Sequence, residues 1–333
     1  MNRCTYLLPI RRRVFDVTEA NALGDYFRSL ADGGCELVVI DGSPDHVFEE
    51  HNRVWSNVCR HERVERHWGY LNDKVNGIHT GVALAANEKI ILADDDIRYS
   101  AKNLSDVVDL LDRFEVVRPQ NFLRPLRWWS RMEAARMLIN RATLRTADYP
   151  GTNGFRRSSM LRVGHYDGDV LFDNEEMIRH FASSGASICY ANDLFIAKRP
   201  PTLSKWLEQR PRQAYEDFPL RAKTAIFFGI PPLLLAATLL GHALLVFMPL
   251  LLIPVLMAAV GRLRGKAARF FTISTCFFAP LWVIERSIST YCALYWYFAR
   301  GGYPFGGRVL SKGVGRDWFA GRRAASDAVR SAK

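Results

Sequence analysis

The chain has 333 residues, with 45 Lys+Arg against 34 Asp+Glu and a formal charge of +11. Fifteen basic and 3 acidic residues follow position 220, leaving 30 and 31 before it. A basic excess confined to an apolar carboxyl-terminal third argues against nucleic acid and for a membrane margin. Six scattered cysteines (Cys4, Cys35, Cys59, Cys189, Cys276 and Cys292) form no C-x-x-C pair, which excludes a zinc ribbon or a disulfide frame.

The apolar run 6–10 is too short for a secretory leader and meets Arg11-Arg12-Arg13, so no leader is expected. Residues 5–10 and 36–40 read as buried strands, with a helix over 18–30 between them. A second helix is expected over 73–86, before a third strand at 90–93. Strands alternating with helices predict an α/β fold with a mostly parallel central sheet.

Two strand ends carry acid. Asp41-Gly42-Ser43 follows the second strand, where a carboxylate can accept from a base or ribose, although an ordinary D-G turn reads the same. Asp94-Asp95-Asp96 ends the third, where open α/β sheets bind ligands. Two carboxylates one residue apart can hold a hard divalent cation, and through it a diphosphate. In isolation the triplet could equally be an acidic turn before a helix starting near Ser105. Arg127-Trp128-Trp129-Ser130-Arg131 opens a basic helical stretch reaching about Arg145. The acidic cluster Asp173-Asn174-Glu175-Glu176 precedes a helix over 177–183, where acids suit a helix amino terminus. The eight histidines show no metal spacing.

Between 225 and 261 there is no Asp, Glu, Lys or Arg. One helix of that length would run about 55 Å, against about 30 Å of hydrocarbon. Two crossings are therefore predicted, about 224–241 and 242–260, turning near Gly241-His242. Pro231, Pro232, Pro249 and Pro254 would kink them. Arg221 and Lys223 precede the pair, and Arg262, Arg264, Lys266 and Arg269 follow it, so both flanks are expected at the cytoplasmic face. The apolar stretch 270–298 carries Glu285-Arg286 at its middle, a costly pair at mid-bilayer. It is expected to be interfacial or re-entrant, with a third crossing as the alternative, and a basic cytoplasmic tail over 300–333 follows.

In order and spacing the chain resembles the family 2 glycosyltransferases of the GT-A fold over roughly residues 4–220. The residues that carry this are Leu8-Pro9-Ile10, Asp41-Gly42-Ser43, Asn76-Gly77 with the helical segment from Gly81, and Asp94-Asp95-Asp96. Further on come Gly151-Thr152-Asn153-Gly154, Phe172-Asp173-Asn174-Glu175-Glu176-Met177 and Gln209-Arg210-Pro211-Arg212-Gln213. The layout is similar to the ceramide glucosyltransferase-like and bacterial cell-envelope branches.

The resemblance implies a GT-A domain over 1–220, a membrane region over 221–299, and Mg²⁺ or Mn²⁺ on Asp94 and Asp96. Asp41 would meet the nucleobase, Pro9 and Asn76 would line the donor, and Asp95 would point away. A general base would come from Asp173, Glu175 or Glu176, with Asp173 leading, although Asp173-Asn174 departs from the common Glu-Asp pattern. Gly154 would lie in a flexible loop below the acceptor. Gln209 and Arg212 match a Q-x-x-R-W motif whose tryptophan is replaced by Gln213, which weakens any case for processive polymer synthesis. The implied activity is inverting transfer from a nucleotide-sugar, UDP-sugar foremost, to a lipid or lipid-linked glycan. The enzyme would be a multi-pass protein of the inner or plasma membrane if bacterial. Two rivals are a nucleotidyltransferase, for which Pro9-Ile10-Arg11-Arg12-Arg13 lacks the glycines, and a catalytically silent membrane scaffold.

Overall fold

The computed structural model describes residues 4–215, 217–218 and 221–314. The chain begins β1 (Thr5–Ile10), α1 (Val17–Asp32), β2 (Glu36–Asp41), α2 (Asp45–Trp55), β3 (Arg60–Arg63), α3 (Asp73–Leu84) and β4 (Lys89–Ala93). It continues with β5 (Ile97–Arg98), α4 (Ala101–Leu110), β6 (Val116–Leu123), α5 (Trp128–Thr143), β7 (Thr152–Arg156), α6 (Arg157–Val163), α7 (Asp173–Ser183) and β8 (Ile188–Lys198). Then come α8 (Leu203–Tyr215), α9 (Arg221–Leu239), α10 (Ala243–Leu263), α11 (Ala279–Arg300), and a hairpin of β9 (Tyr303–Phe305) and β10 (Arg308–Leu310). Two compact units result, and their boundaries fall inside β6 and β8. One holds residues up to 119 and 150–196, the other 120–149 and 197–314.

The first unit is built on a sheet of order β3-β2-β1-β4-β7-β6-β8-β5. β1 pairs in parallel with β2 and β4, and β2 with β3. β7 then runs antiparallel to both β4 and β6. Alternation along the strands gives the sheet two buried faces. Tyr6, Leu8, Val39 and Ile91 join Phe27 and Trp55 on one side. Leu7, Val38, Ile90 and Leu92 join Ile78, Phe155 and Phe181 on the other. α1 begins where Asp16 accepts from the Thr18 and Glu19 amides, and it buries Ala20, Leu23, Phe27 and Leu30 along one stripe. α3 lies close on β1: a Cβ at Gly77 would sit 3.0 Å from Pro9 Cβ, and one at Gly81 would collide with Leu7.

The structure corrects three local expectations. The helix after the aspartate triplet starts at Ala101, four residues early, because the Ser100 hydroxyl caps the Asn103 amide. The acidic cluster 173–176 forms the first turn of α7 instead of preceding it. Gly154, expected in a flexible loop, is an interior residue of β7 opposite Ile91. A glycine is needed there because a Cβ would lie 2.8 Å from Val107 Cγ1 under α4.

In the second unit α9 and α10 form an apolar hairpin turning at Gly241, whose φ of +72° is left-handed. Both helices are long and apolar enough to cross a membrane by length and composition. Leu239, Leu240, Leu244 and Leu245 at the tip are largely exposed. α5 packs against α10 so closely that a Cβ on Gly261 would strike the Leu138 carbonyl. The interior of this unit is charged. Glu133 meets Arg136 at 2.8 Å and Arg210 at 3.1 Å, and Arg136 also meets Asp148 at 2.8 Å. Burial pushes the Glu133 carboxyl up, but Arg136, Arg210 and Arg286 outweigh it and hold the pKa at about 2. Of the expected basic tail, residues 315–333 lie outside the described residues.

Candidate functional site

Parallel pairing of β1 with β2 and β4 brings Pro9, Asp41 and the residues after Ala93 to one edge of the sheet. There the aspartate triplet leaves the strand as a turn: the Asp94 amide donates to the Gly151 carbonyl at 2.9 Å, and the Ile97 amide to Asp94 at 3.1 Å. Asp95 pairs with Arg12, and because it lies in a turn, strand alternation does not set its direction.

Lys74, in the first turn of α3, ties this edge to α7. Its Nζ lies 2.6 Å from Asp94 Oδ1 and 2.7 Å from Asp173 Oδ2, so one ammonium spans both carboxylates. Burial alone would lower the Lys74 pKa, but the charges of Asp173 and then Asp94 override it and raise it. The other candidate bases face away from this contact. Glu175 is held by the buried Arg118 at 3.1 Å, and Glu176 by both ends of the Arg179 guanidinium. Of the three acids named as candidate bases, Asp173 is the one brought to Asp94.

Oxygen donors such as Asp94 and Asp96 suit Mg²⁺ or Mn²⁺, which prefer carboxylate to nitrogen or sulfur. That Asp94 and Asp173 already share a cation, the Lys74 ammonium, fits a place where positive charge is held. A different set of metal-type donors lies at Asp41, His51 and His61, within 4.8 Å of one another. Donors sharing one ion at about 2.1 Å lie no more than about 4.2 Å apart. The 2.7 Å contact of Asp41 Oδ2 with His51 Nδ1 has the length of a hydrogen bond.

Asp41 is fully enclosed. Oδ1 accepts from the Ser43 amide at 2.8 Å, while Oδ2 faces His51 and, at 3.2 Å, His61 Nε2. Burial raises its pKa, but the bonds from His51, His61 and Ser43 outweigh that and hold it well below the usual carboxylate range. Asn76 is also engaged, its amide exchanging two 3.0 Å bonds with the Tyr70 backbone. The geometry thus gives Asp41 and Asn76 structural partners at the edge where the sequence placed a donor.

Gln209 and Arg212 stand on α8, in the second unit. Arg212 lies over the Phe305 ring at 4.4 Å, and Gln213, at the tryptophan position, accepts from Arg286 at 3.3 Å.

Sequence reasoning missed four features. Lys74 lies in the expected helix over 73–86 but was not singled out, and Arg118 sits in a strand that was not expected. His51 and His61 meet Asp41 from α2 and β3 without a recognisable spacing. Asn153, on β7 beside Leu92, is 1% exposed, and neither its Oδ1 nor its Nδ2 has a hydrogen-bond partner among the described residues. Orphaned buried amides are rare and call for a reason.

No family model and no curated protein matches the chain. Among solved structures it is similar to the mannosyltransferase PcManGT from Pyrobaculum calidifontis in complex with GDP-Man and Mn²⁺. That match has 16% identity, 87% of each chain covered and a TM-score of 0.49. It is also similar to glucosyl-3-phosphoglycerate synthase from Mycobacterium tuberculosis in complex with Mg²⁺ and UDP, at 17% identity. There 61% of this chain and 73% of that one are covered, with a TM-score of 0.41. Both are glycosyltransferase structures, and at these scores neither likeness carries an argument about what this chain does.

Proposed function

We propose that the chain is a membrane-attached glycosyltransferase of the GT-A type. It would move a sugar from a nucleoside diphosphate sugar to a lipid or lipid-linked acceptor with inversion. The observation that carries this is the Asp94–Lys74–Asp173 bridge at the carboxyl edge of β1, β2 and β4. It joins a metal-type aspartate to a general-base candidate, with a cation between them. Support for the membrane part is the apolar α9–α10 hairpin and its basic flanks.

In this reading Asp94 and Asp96 would hold Mg²⁺ or Mn²⁺, which would supply positive charge for the departing diphosphate. Asp173 accepts the proton of the acceptor hydroxyl as that oxygen bonds to the anomeric carbon. The bond from that carbon to the diphosphate oxygen breaks with its electron pair leaving on the nucleoside diphosphate. Lys74 holds Asp173 in place through their ion pair, and its ammonium would be within reach of diphosphate oxygens at this edge.

The test is a thermal-shift panel of detergent-purified protein with UDP, GDP, CDP and dTDP, with and without Mn²⁺. Metal-dependent stabilisation by one nucleotide fixes the donor class. Asp173→Asn is expected to keep that stabilisation while lowering transfer by about 10²–10⁴-fold, the usual worth of a general base. No stabilisation with any nucleotide would instead favour the silent scaffold.

A further inference from the structure

α11 carries large apolar side chains on its exposed face and a mixed polar and apolar set on its buried one. Trp282, Arg286, Ser287, Thr290 and Ala293 are buried on its inner face. Leu281, Ile288, Tyr295 and Phe298 are 50%, 60%, 51% and 78% exposed on the outer one. A helix facing water buries its apolar stripe and exposes its polar one. Both members of the charged pair find polar partners inside the unit. Arg286 lies 3.4 Å from Asp217 and 3.3 Å from Gln213, and Glu285 accepts from Ser289 at 2.5 Å. These contacts reduce the cost that made a membrane position doubtful from sequence.

The direction of the helix follows from its aromatic contacts. Trp282 meets Phe227 edge-on at 5.6 Å, and Tyr291 stacks on Phe228 at 4.9 Å. Nine residues, about 13 Å of helix, separate the first residues of these pairs, while their partners are neighbours. Helices running side by side would space both sets equally, so α11 runs steeply across the start of α9. That start is the basic margin, at Lys223, and the Phe228–Tyr291 stack joins the exposed apolar faces of the two helices. Tyr291, Tyr295, Trp296 and Tyr297 add the amphipathic rings that favour the level of the headgroups.

We infer that α11 is an in-plane membrane helix. Its outer stripe sinks into the headgroup–acyl boundary of the leaflet where the α9–α10 hairpin begins and ends, and the helix does not cross. This rests on the membrane attachment proposed above.

The test uses the full chain in phosphatidylcholine–phosphatidylglycerol vesicles, in a background with its native cysteines replaced. Spin labels are placed singly through Leu281→Cys, Ile288→Cys and Tyr295→Cys, with Leu244→Cys at the hairpin tip as reference. Depth is read from collisions with oxygen and with a nickel chelate. An in-plane helix gives three equal, shallow depths and a deep tip. An upright helix would separate labels 281 and 295 by about 21 Å of depth, and that gradient overturns the inference. Water-exposed α11 labels beside a buried tip overturn it while sparing the membrane reading. A water-exposed tip overturns both. Cys292, the one exposed cysteine among the described residues, offers the same reading in the unaltered chain should the replaced background not fold.

Discussion

Lys74 Nζ stands 2.7 Å from Asp173 Oδ2, a bond between the first turn of α3 and the first turn of α7. The same ammonium reaches Asp94, so removing it leaves two carboxylates facing each other. Lys74→Met should therefore destabilise the protein by about 1–3 kcal/mol, below the cost of breaking a fully buried pair because water reaches Lys74 and Asp94. Adding Asp173→Asn should recover part of that loss. A double-mutant cycle in urea that showed simple additivity would remove the bridge from the account.

Asp96→Asn should abolish the Mn²⁺-dependent part of any nucleoside diphosphate stabilisation and leave unliganded stability within about 0.5 kcal/mol, as for most partly exposed substitutions. Nucleotide titrations followed by thermal unfolding check this. Retained metal dependence would move the ion away from Asp96.

The orphaned amide of Asn153 costs about 1–3 kcal/mol while it has no partner. Asn153→Leu, close in volume, should raise the melting temperature of the unliganded protein and lower turnover. A variant that is less stable, or equally active, would mean that the amide has a purely structural role.

His79 is buried beside Trp68 and Tyr166, and burial, with repulsion from His165 and His180, lowers its pKa from 6.5 to about 4. The unfolded chain binds this proton between those values and the folded one does not. Stability is therefore full above pH 6.5 and falls by about 3 kcal/mol as pH drops to 4. Urea midpoints across this range, compared with His79→Gln, should show a shallower slope in the variant.

Gly261→Ala should separate α5 from α10 and cost more than 2 kcal/mol, since the obstacle is the Leu138 backbone carbonyl rather than a movable side chain. Gly229→Ala, on α9 with nothing within 4 Å, should be neutral or stabilising. Melting curves of the two in detergent make the comparison.

The strands that end in acid were readable because apolar runs such as Ile90–Ile91–Leu92 stop abruptly at charge, and burial on both faces needs nothing else. β6 was not, because Arg118, Pro119, Gln120 and Asn121 break any apolar pattern while still being buried. The Gly151-Thr152-Asn153-Gly154 stretch has the composition of a turn, and only the packing of Val107 and Leu111 over Gly154 reveals a central strand. The acid pair at 94 and 96 and the acids of 173–176 were visible. Asp173 led among those acids, but the Lys74 bridge that joins it to Asp94 and the Arg118 that holds Glu175 were not visible, since both act across long sequence separations. Glu285-Arg286 stood out as an anomaly, and the partners of Arg286 lay about seventy residues away, at Gln213 and Asp217.

Gly77 and Gly81 let α3 lie flush on β1, and this fixes how quickly the edge of the sheet can rearrange. A helix so closely seated cannot slide or tilt without lifting from Leu7 and Pro9, so the Lys74 backbone stays put. Release of Asp94 is left to rotation of the lysine side chain, with its ion pairs to Asp94 and Asp173 broken on the way. In the function proposed above, an ion arriving at Asp94 would displace an ammonium and leave the helix where it stands.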